Sequence, residues 1–359
     1  MYRGIIGTKP ELFIDIFEAL QMISRKVTQM KKKSSSPTMK DVATAAGVSL
    51  GTVSKVVNGA PVGEEYAKRV RDAIKKLDYH VNIYAQGLKS DRTCTVAVLI
   101  PNTAHPYFGA LTYYLNLALL KQGYRMLLCC TGYNVNREQE YINMVQQNKV
   151  DGIIGLTYNP NLEIDENTSF VSIDRIIAPN IPCVASDNFA GGNLAAEKLA
   201  SLGCKNVCFL RIGSDLNNEP NKRRAGFQNG CAAAGLSYSE KILRDGDDTE
   251  QFGTFLQEHV HNGTLDFDGI FCVTDGLLYD IRKLLSKMGV RIPQDVQMIG
   301  FDGIRDFFDK DLTCSTIVQP VEAIAQTCVS TLLNRSAEDS TPSLICLPVS
   351  YAPGGTTRD

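Results

Sequence analysis

The chain is expected to fold as a small all-α helix-turn-helix unit followed by an α/β core of two doubly wound parallel-sheet lobes. Two observations lead there. Between Met39 and Asn58 the run MKDVATAAGVSLGTVSKVVN sets two short amphipathic segments around a glycine. From Thr95 onward, apolar runs of strand length alternate with amphipathic runs of helix length, the pattern of parallel sheets covered on both faces.

In the first unit, Asp41 to Ala46 turns Val42, Ala45 and Ala46 to one face, Gly47 tolerates the positive φ of a tight turn, and Val48 joins the two segments. Ser49 then caps a helix from Leu50 to Val57 whose Val53, Val56 and Val57 face inward. Leu50, Gly51, Thr52, Ser54 and Lys55 stay on the outer side, where such a helix meets a DNA major groove. A third helical stretch, starting near Glu64 and ending at Leu77, closes a small core around Val70, Ile74 and Leu77. Lys55 suits a hydrogen bond to a guanine edge, whereas Thr52, Ser54 and Asn58 suit the phosphate backbone.

Two flanking segments are weaker. Residues 1–37 carry Phe13, Ile16, Leu20, Ile23, Val27 and Met30 in a heptad-like stripe under three heptads long, ending in KKKSSSP. This reads as an added dimerisation helix or, equally, as a start site set upstream of Met30 or Met39. After residues 38–81, the segment 82–92 reads as a hinge. Asn82 can cap a short helix from Ile83 to Leu88, but Gly87 weakens it by about 1 kcal/mol relative to alanine, so it should order only when paired and docked.

In the core, 93–359, the alternation runs Thr95 to Ile100, Phe108 to Gln122, Arg125 to Cys130, Arg137 to Asn148 and Gly152 to Leu156. A second set begins near Cys183 and includes Asn193 to Leu202, Val207 to Ile212, Lys222 to Ala234, Gly269 to Val273, Leu277 to Met288 and Gln297 to Phe301. Ligands of such sheets bind beyond the carboxyl ends of the strands. That rule nominates Tyr107 and Phe108 after the first strand, Asp174 after Phe170 to Ile173, Arg223 at the start of a helix, Thr274 and Asp275 after Ile270 to Val273, Asp302 after Met298 to Phe301, and Gln319. Carboxylates accept from hydroxyls, an arginine donates several hydrogen bonds, and aromatic faces stack on the apolar side of a ring, so the set suits a polyol.

The net charge of -2 hides an asymmetry. Residues 1–36 hold seven basic and three acidic side chains, 37–92 nine and six, and the remainder 21 and 30, so only the front of the chain suits a polyanion. Eleven cysteines with no C-x-x-C pair, scattered through apolar stretches, read as buried free thiols in a reducing compartment. His259 and His261, two apart in an expected helix, point to different faces and read as solvated surface residues, so neither a metal nor another cofactor is expected. No apolar run is long enough to span a bilayer, and Glu11, Asp15 and Glu18 interrupt any secretory core, which points to a cytoplasmic protein. H-E-x-x-H and G-x-x-x-x-G-K are absent, and the one G-x-S-x-G match, Gly47 to Gly51, spans the turn where Ser49 caps a helix, so enzymatic activity is not expected.

From Met39 to Thr357 the chain resembles the lactose-repressor (LacI) family of bacterial transcription regulators. The matching stretches beyond the first helices are YHVNIYAQGLKS (Tyr79 to Ser90), VLIPNTAHPYF (Val98 to Phe108), VDGIIG (Val150 to Gly155), SDNFAGG (Ser186 to Gly192), RRAGF (Arg223 to Phe227), RIPQDVQMIGFD (Arg291 to Asp302) and TIVQP (Thr316 to Pro320). The resemblance implies periplasmic-binding-protein-like lobes joined by three crossings, near Cys183 to Asp187, near Thr316 to Gln319 and after the helix that starts at Val321. It implies effector contacts at the cleft residues named above, base readers at Leu50 and Gly51, and a minor-groove wedge at Leu88. His80 and Val81 depart from the family by replacing a basic residue and a proline. The expected function is a sequence-specific, operator-binding regulator, a repressor, controlled by a sugar-like effector; its partners are double-stranded DNA, the effector and a second copy of the chain, with no membrane. The absence of an apolar heptad tail after the last motif suggests a dimer rather than a tetramer. A sugar-binding transport receptor is the alternative, and both the helix-turn-helix and the lack of an export signal oppose it.

Overall fold

The computed structural model describes residues 37–79, 92–214, 218–261, 263–305, 311–334 and 343–358. The heptad-like stripe within 1–36 and the short helix 83–88, with Asn82 and Leu88, lie outside the described residues. The chain divides between Gln86 and Gly87 into two units.

The first unit has three helices, α1 (Met39–Ala46), α2 (Leu50–Val57) and α3 (Glu64–Leu77). Thr38 and Asp41 form a capping box at the start of α1, the Asp41 carboxylate accepting from Thr38 N at 2.7 Å, so two N–H groups the helix leaves open are satisfied. Gly47 ends α1 at φ 62°, left-handed as the turn requires, and Arg69 of α3 donates to its carbonyl at 3.0 Å. Val42, Ala43, Ala46, Val53, Val70, Ala73 and Tyr79 form the core, with Ile74 and Leu77 packed against it. Ala45 is exposed and Ala43 buried, the reverse of the expected assignment. The inward arc of α1 holds Met39, Val42, Ala43 and Ala46, and at about 100° per residue Ala45 falls about 110° from its centre.

In the second unit the elements are β1 (Thr95–Ile100), α4 (Pro106–Lys121), β2 (Arg125–Cys130), α5 (Val135–Gln147), β3 (Gly152–Gly155), β4 (Phe170–Ile173) and β5 (Cys183–Ser186), then α6 (Asn188–Ser201), β6 (Asn206–Ile212), α7 (Lys222–Ala234), β7 (Ser237–Leu243), α8 (Glu250–Glu258), β8 (Val260–His261), β9 (Thr264–Leu265), β10 (Gly269–Cys272), α9 (Asp275–Lys287), β11 (Gln297–Asp302), β12 (Thr316–Val318), α10 (Val321–Leu333), β13 (Leu344–Leu347) and β14 (Ser350–Ala352). The first lobe's sheet runs β13-β5-β4-β3-β1-β2, all parallel. The second runs β14-β12-β11-β10-β6-β7, parallel except for the antiparallel edge strand β14. Both are doubly wound, and α10 returns to cover β3, β4 and β5 of the first lobe.

The three expected crossings are present, after β5, after β12, and between Leu347 and Ser350. The strand at Cys183, expected to open the second lobe, instead belongs to the first sheet, between β4 and the edge strand β13. Strand β7 was not read from sequence; at the sheet edge, its SYSEKIL run is mostly polar and lacks the apolar run of the buried strands. His259 ends α8 rather than lying within it, half-buried, its ring 4.8 Å from that of Phe267, while His261 is on β8. Every cysteine is free, as expected, but Cys94, Cys130 and Cys346 are exposed rather than buried. Among the described residues, no helix is long and apolar enough to cross a membrane.

Candidate functional site

On the first unit, α2 begins at the Ser49 cap, whose hydroxyl accepts from Thr52 N at 3.1 Å and sits 2.9 Å from Thr52 Oγ1. Asn58 Nδ2 donates to Ser54 Oγ at 3.3 Å. These four polar side chains hold the ends of the helix, while Leu50, Gly51 and Lys55 are exposed. Gly51, Lys55 and Asn58 recur at one-turn spacing and therefore share a stripe. Leu50, 43% exposed, has no core role that explains an apolar side chain there, and an apolar tip suits a thymine methyl.

On the second unit, a cavity of about 640 Å³ opens at the carboxyl ends of both sheets. In each sheet it lies where the winding reverses, beyond β1 and β3 in the first lobe and beyond β6 and β10 in the second, the position open α/β sheets reserve for ligands. Seven of the eight expected residues line it: Tyr107, Phe108, Asp174, Arg223, Thr274, Asp302 and Gln319. Asp275 does not. Its carboxylate accepts from Gly303 N at 2.9 Å, Ile304 N at 2.8 Å and Thr316 Oγ1 at 2.7 Å, so it ties the ends of β11 and β12 together instead of facing the cavity. The Thr274 hydroxyl caps α9 through Leu277 N at 3.2 Å while the residue still borders the cavity.

The floor of the cavity is a polar network that spans two of the three crossings. Ser186 Oγ donates to Gln319 Oε1 at 2.7 Å, and Gln319 Nε2 donates to Asp302 Oδ1 at 2.8 Å. Arg223, over the Phe301 ring at 3.6 Å, donates through Nε to Asn188 Oδ1 and through Nη1 to the Val273 carbonyl, both at 2.7 Å, and lies 3.9 Å from Asp302 Oδ1. Asn188 Nδ2 returns to the Ser186 carbonyl at 2.8 Å. One backbone bond, Glu219 N to the Asp174 carbonyl at 2.9 Å, links the lobes across the cleft.

Four buried atoms on the cavity wall make no hydrogen bond within the protein: His105 Nδ1, Tyr107 Oη, Asp174 Oδ1 and Asp302 Oδ2. Buried polar atoms are normally satisfied, so a cluster of orphans marks where a polar ligand docks. Both aspartates also hold positive φ, 60° at Asp174 and 131° at Asp302, a strained backbone that folds tolerate at functional positions. Burial pushes the Asp174 carboxyl up to about 6 against the attraction of Arg223. Burial likewise raises Asp302, with Asp275 and Asp174 adding like charge against Arg223.

A test follows from the sign of that shift. With a folded pKa near 6, above its unfolded value, Asp174 binds its proton more tightly in the fold. Its contribution to stability is present at low pH and is lost as pH rises from about 4 to about 6. Asp174→Asn should therefore melt higher than wild type at pH 7.5, by up to about 3 kcal/mol for a shift of this size, and the gain should vanish by pH 4. A variant less stable at pH 7.5 would contradict the burial argument.

Sequence reasoning missed Tyr133, Tyr158, Arg175, Arg211 and Asp245, which also line the cavity. Tyr133 and Tyr158 follow β2 and β3, so the strand-end rule, applied to every strand, would have found them.

Two family descriptions match the chain: bacterial regulatory proteins of the lacI family over residues 38–82, and periplasmic binding proteins and sugar binding domain of the LacI family over residues 93–342. The sucrose operon repressor of Streptococcus mutans is 32% identical over 318 residues, 88% of this chain and 97% of the repressor. A ribose operon repressor of Halalkalibacterium halodurans is 33% identical over 74% of this chain and 80% of its own. The lac repressor dimer bound to operator and anti-inducer has the same fold, with a TM-score of 0.73 and 22% identity over 89% of this chain and 99% of that one. A helix-turn-helix unit and a two-lobed unit, each matched by its own description, are the two parts of one kind of protein, and the chain belongs to the LacI family of bacterial transcriptional regulators.

Proposed function

We propose that the protein is a cytoplasmic, homodimeric repressor that binds an operator through α2 and is controlled by a sugar-like effector held between the two lobes. The observation that carries the reading is the convergence of Tyr107 Oη, Asp174 Oδ1 and Asp302 Oδ2 on one cleft in a chain that also has a helix-turn-helix. The relatives named above are repressors of sucrose and ribose operons, which supports a polyhydroxylated effector. A ligand that engages groups of both lobes favours their closed arrangement and shifts the population toward it. Self-association is supported by an exposed apolar stripe on α4, where Tyr113, Leu117 and Leu120 fall at spacings of four and three.

DNA binding is tested at Lys55. Lys55→Ala should weaken operator binding by roughly 1–3 kcal/mol if the lysine reads a guanine, with loss of discrimination at one base pair; if it meets only phosphate, the loss should be uniform across sequences and the salt slope should fall by about one. Electrophoretic shift assays on operator and scrambled duplexes over a salt series distinguish these outcomes. Unchanged affinity for every duplex would take α2 out of the DNA interface.

A further inference from the structure

The cavity has two zones. The inner one is built around the unmatched oxygens of Asp174, Asp302 and Tyr107, two of them carboxylate acceptors. The outer one includes Tyr133 and Tyr158, their ring centroids 5.3 Å apart at 60°, with Asp245 from the second lobe among its lining residues. Tyr158, whose ring meets that of Tyr133, has its hydroxyl pKa held up first by burial and then by the nearby charges of Asp174 and Asp245, and so joins the zones. Tyr133 is 52% exposed, a large aromatic face turned to the mouth.

Three arginines, Arg175, Arg211 and Arg223, and three carboxyl groups, Asp174, Asp245 and Asp302, line the cavity. Each arginine is also engaged by neutral acceptors. Arg223 donates to Asn188 and the Val273 carbonyl, Arg211 to Asn221 Oδ1 at 2.6 Å and to the Ser214 carbonyl, and Arg175 to the Asn159 carbonyl at 2.8 Å. The unmatched groups of the inner zone therefore ask for hydrogen-bond donors, as sugar hydroxyls are.

Resting on the reading of this cleft as the effector site, we propose that its ligand is an uncharged saccharide of at least two rings. One ring donates its hydroxyls to Asp174 and Asp302, and the next packs on Tyr133 and Tyr158 at the mouth. A phosphate ester presents acceptors to Asp174 Oδ1 and Asp302 Oδ2, which are acceptors themselves, and so leaves them unmatched where hydroxyls would donate. A single ring would fill only part of a cavity about twice the ~300 Å³ of the smallest ligand sites and would leave the tyrosine pair uncovered.

The experiment is calorimetry on the full chain with sucrose, maltose, cellobiose and trehalose, with glucose and fructose, and with phosphomonoesters of these sugars, alongside operator-shift assays with each compound. At least one neutral disaccharide should bind roughly tenfold or more tighter than its component hexoses and than its phosphomonoester. Tyr133→Ala should weaken that disaccharide by about tenfold while leaving hexose affinity unchanged. Tighter binding of a phosphomonoester, equal binding of a hexose, equal losses for both ligands in Tyr133→Ala, or no binding by any neutral disaccharide would each overturn the proposal. If a hexose or a phosphomonoester binds and changes operator affinity, only the ligand class is wrong and the regulator reading stands; if the protein fails to shift operator at all, that reading itself falls.

Discussion

Gly192→Ala is expected to be among the most damaging single-methyl changes in the effector unit. Helices α6 and α7 cross through facing glycines, and a Cβ built on Gly192 would lie 2.1 Å from the Arg223 carbonyl oxygen and 2.7 Å from Phe227 N. On the facing helix, a Cβ at Gly226 would lie 2.0 Å from the Phe189 carbonyl oxygen. The obstructing atoms are backbone, so no side chain can rotate away and one helix must move. Overpacking of that kind costs about 3 kcal/mol or more, which for a unit of this size lowers Tm by roughly 10 °C. Because the clash is with Arg223 itself, the displaced helix also carries the arginine off Asn188 and Asp302, and effector affinity should fall more than about tenfold. Gly235→Ala at the end of α7 is the control, with φ 67° but open space around it, and should cost only about 1 kcal/mol of backbone strain. Thermal melts that put Gly192→Ala level with Gly235→Ala would show that the crossing is looser than described.

The contrast between those glycines explains how far the sequence could be read. Strands β1, β3 and β10 and helix α2 were legible because their signals are local: unbroken apolar runs, or a serine cap followed by valines at helical spacing. The cleft was legible through one topological rule, since residues after strand ends converge there whatever their type. Asp275 satisfies that rule and still does other work, because its role depends on Gly303, Ile304 and Thr316, which are distant in sequence and adjacent only once β11 and β12 pair. The stretch SDNFAGG carries the family resemblance, yet nothing in it says which glycine meets a neighbouring backbone. Tyr133 and Tyr158 went unseen for a related reason: an exposed tyrosine is unremarkable until a second ring is found beside it.

Asp302→Asn should yield a protein that folds, binds operator and no longer responds to its effector. Asp302 uses Oδ1 to accept from Gln319 Nε2, a bond the asparagine carbonyl can keep, while Oδ2 is the buried atom without a partner on the cavity wall. The substitution puts an N–H₂ donor where an acceptor stood, so a ligand hydroxyl loses its acceptor and a buried donor goes unmatched, a loss of roughly 1–3 kcal/mol, or about five- to more than a hundredfold in affinity. Folding should not suffer, because burial already holds this carboxyl's pKa high and ionisation is the costly state in the empty cleft. Asp302→Ala is the harsher change: it also strips Gln319 of its acceptor and Arg223 of its nearest carboxylate, so it should both lose the effector and melt lower. Operator affinity without effector should be unchanged in the asparagine variant, since Lys55 and the exposed face of α2 belong to the other unit. Calorimetry with the ligand identified by the saccharide series, paired with operator-shift assays, checks both halves. An asparagine variant that binds effector as tightly as wild type would remove Asp302 from the ligand's contacts and leave its unmatched oxygen without a function.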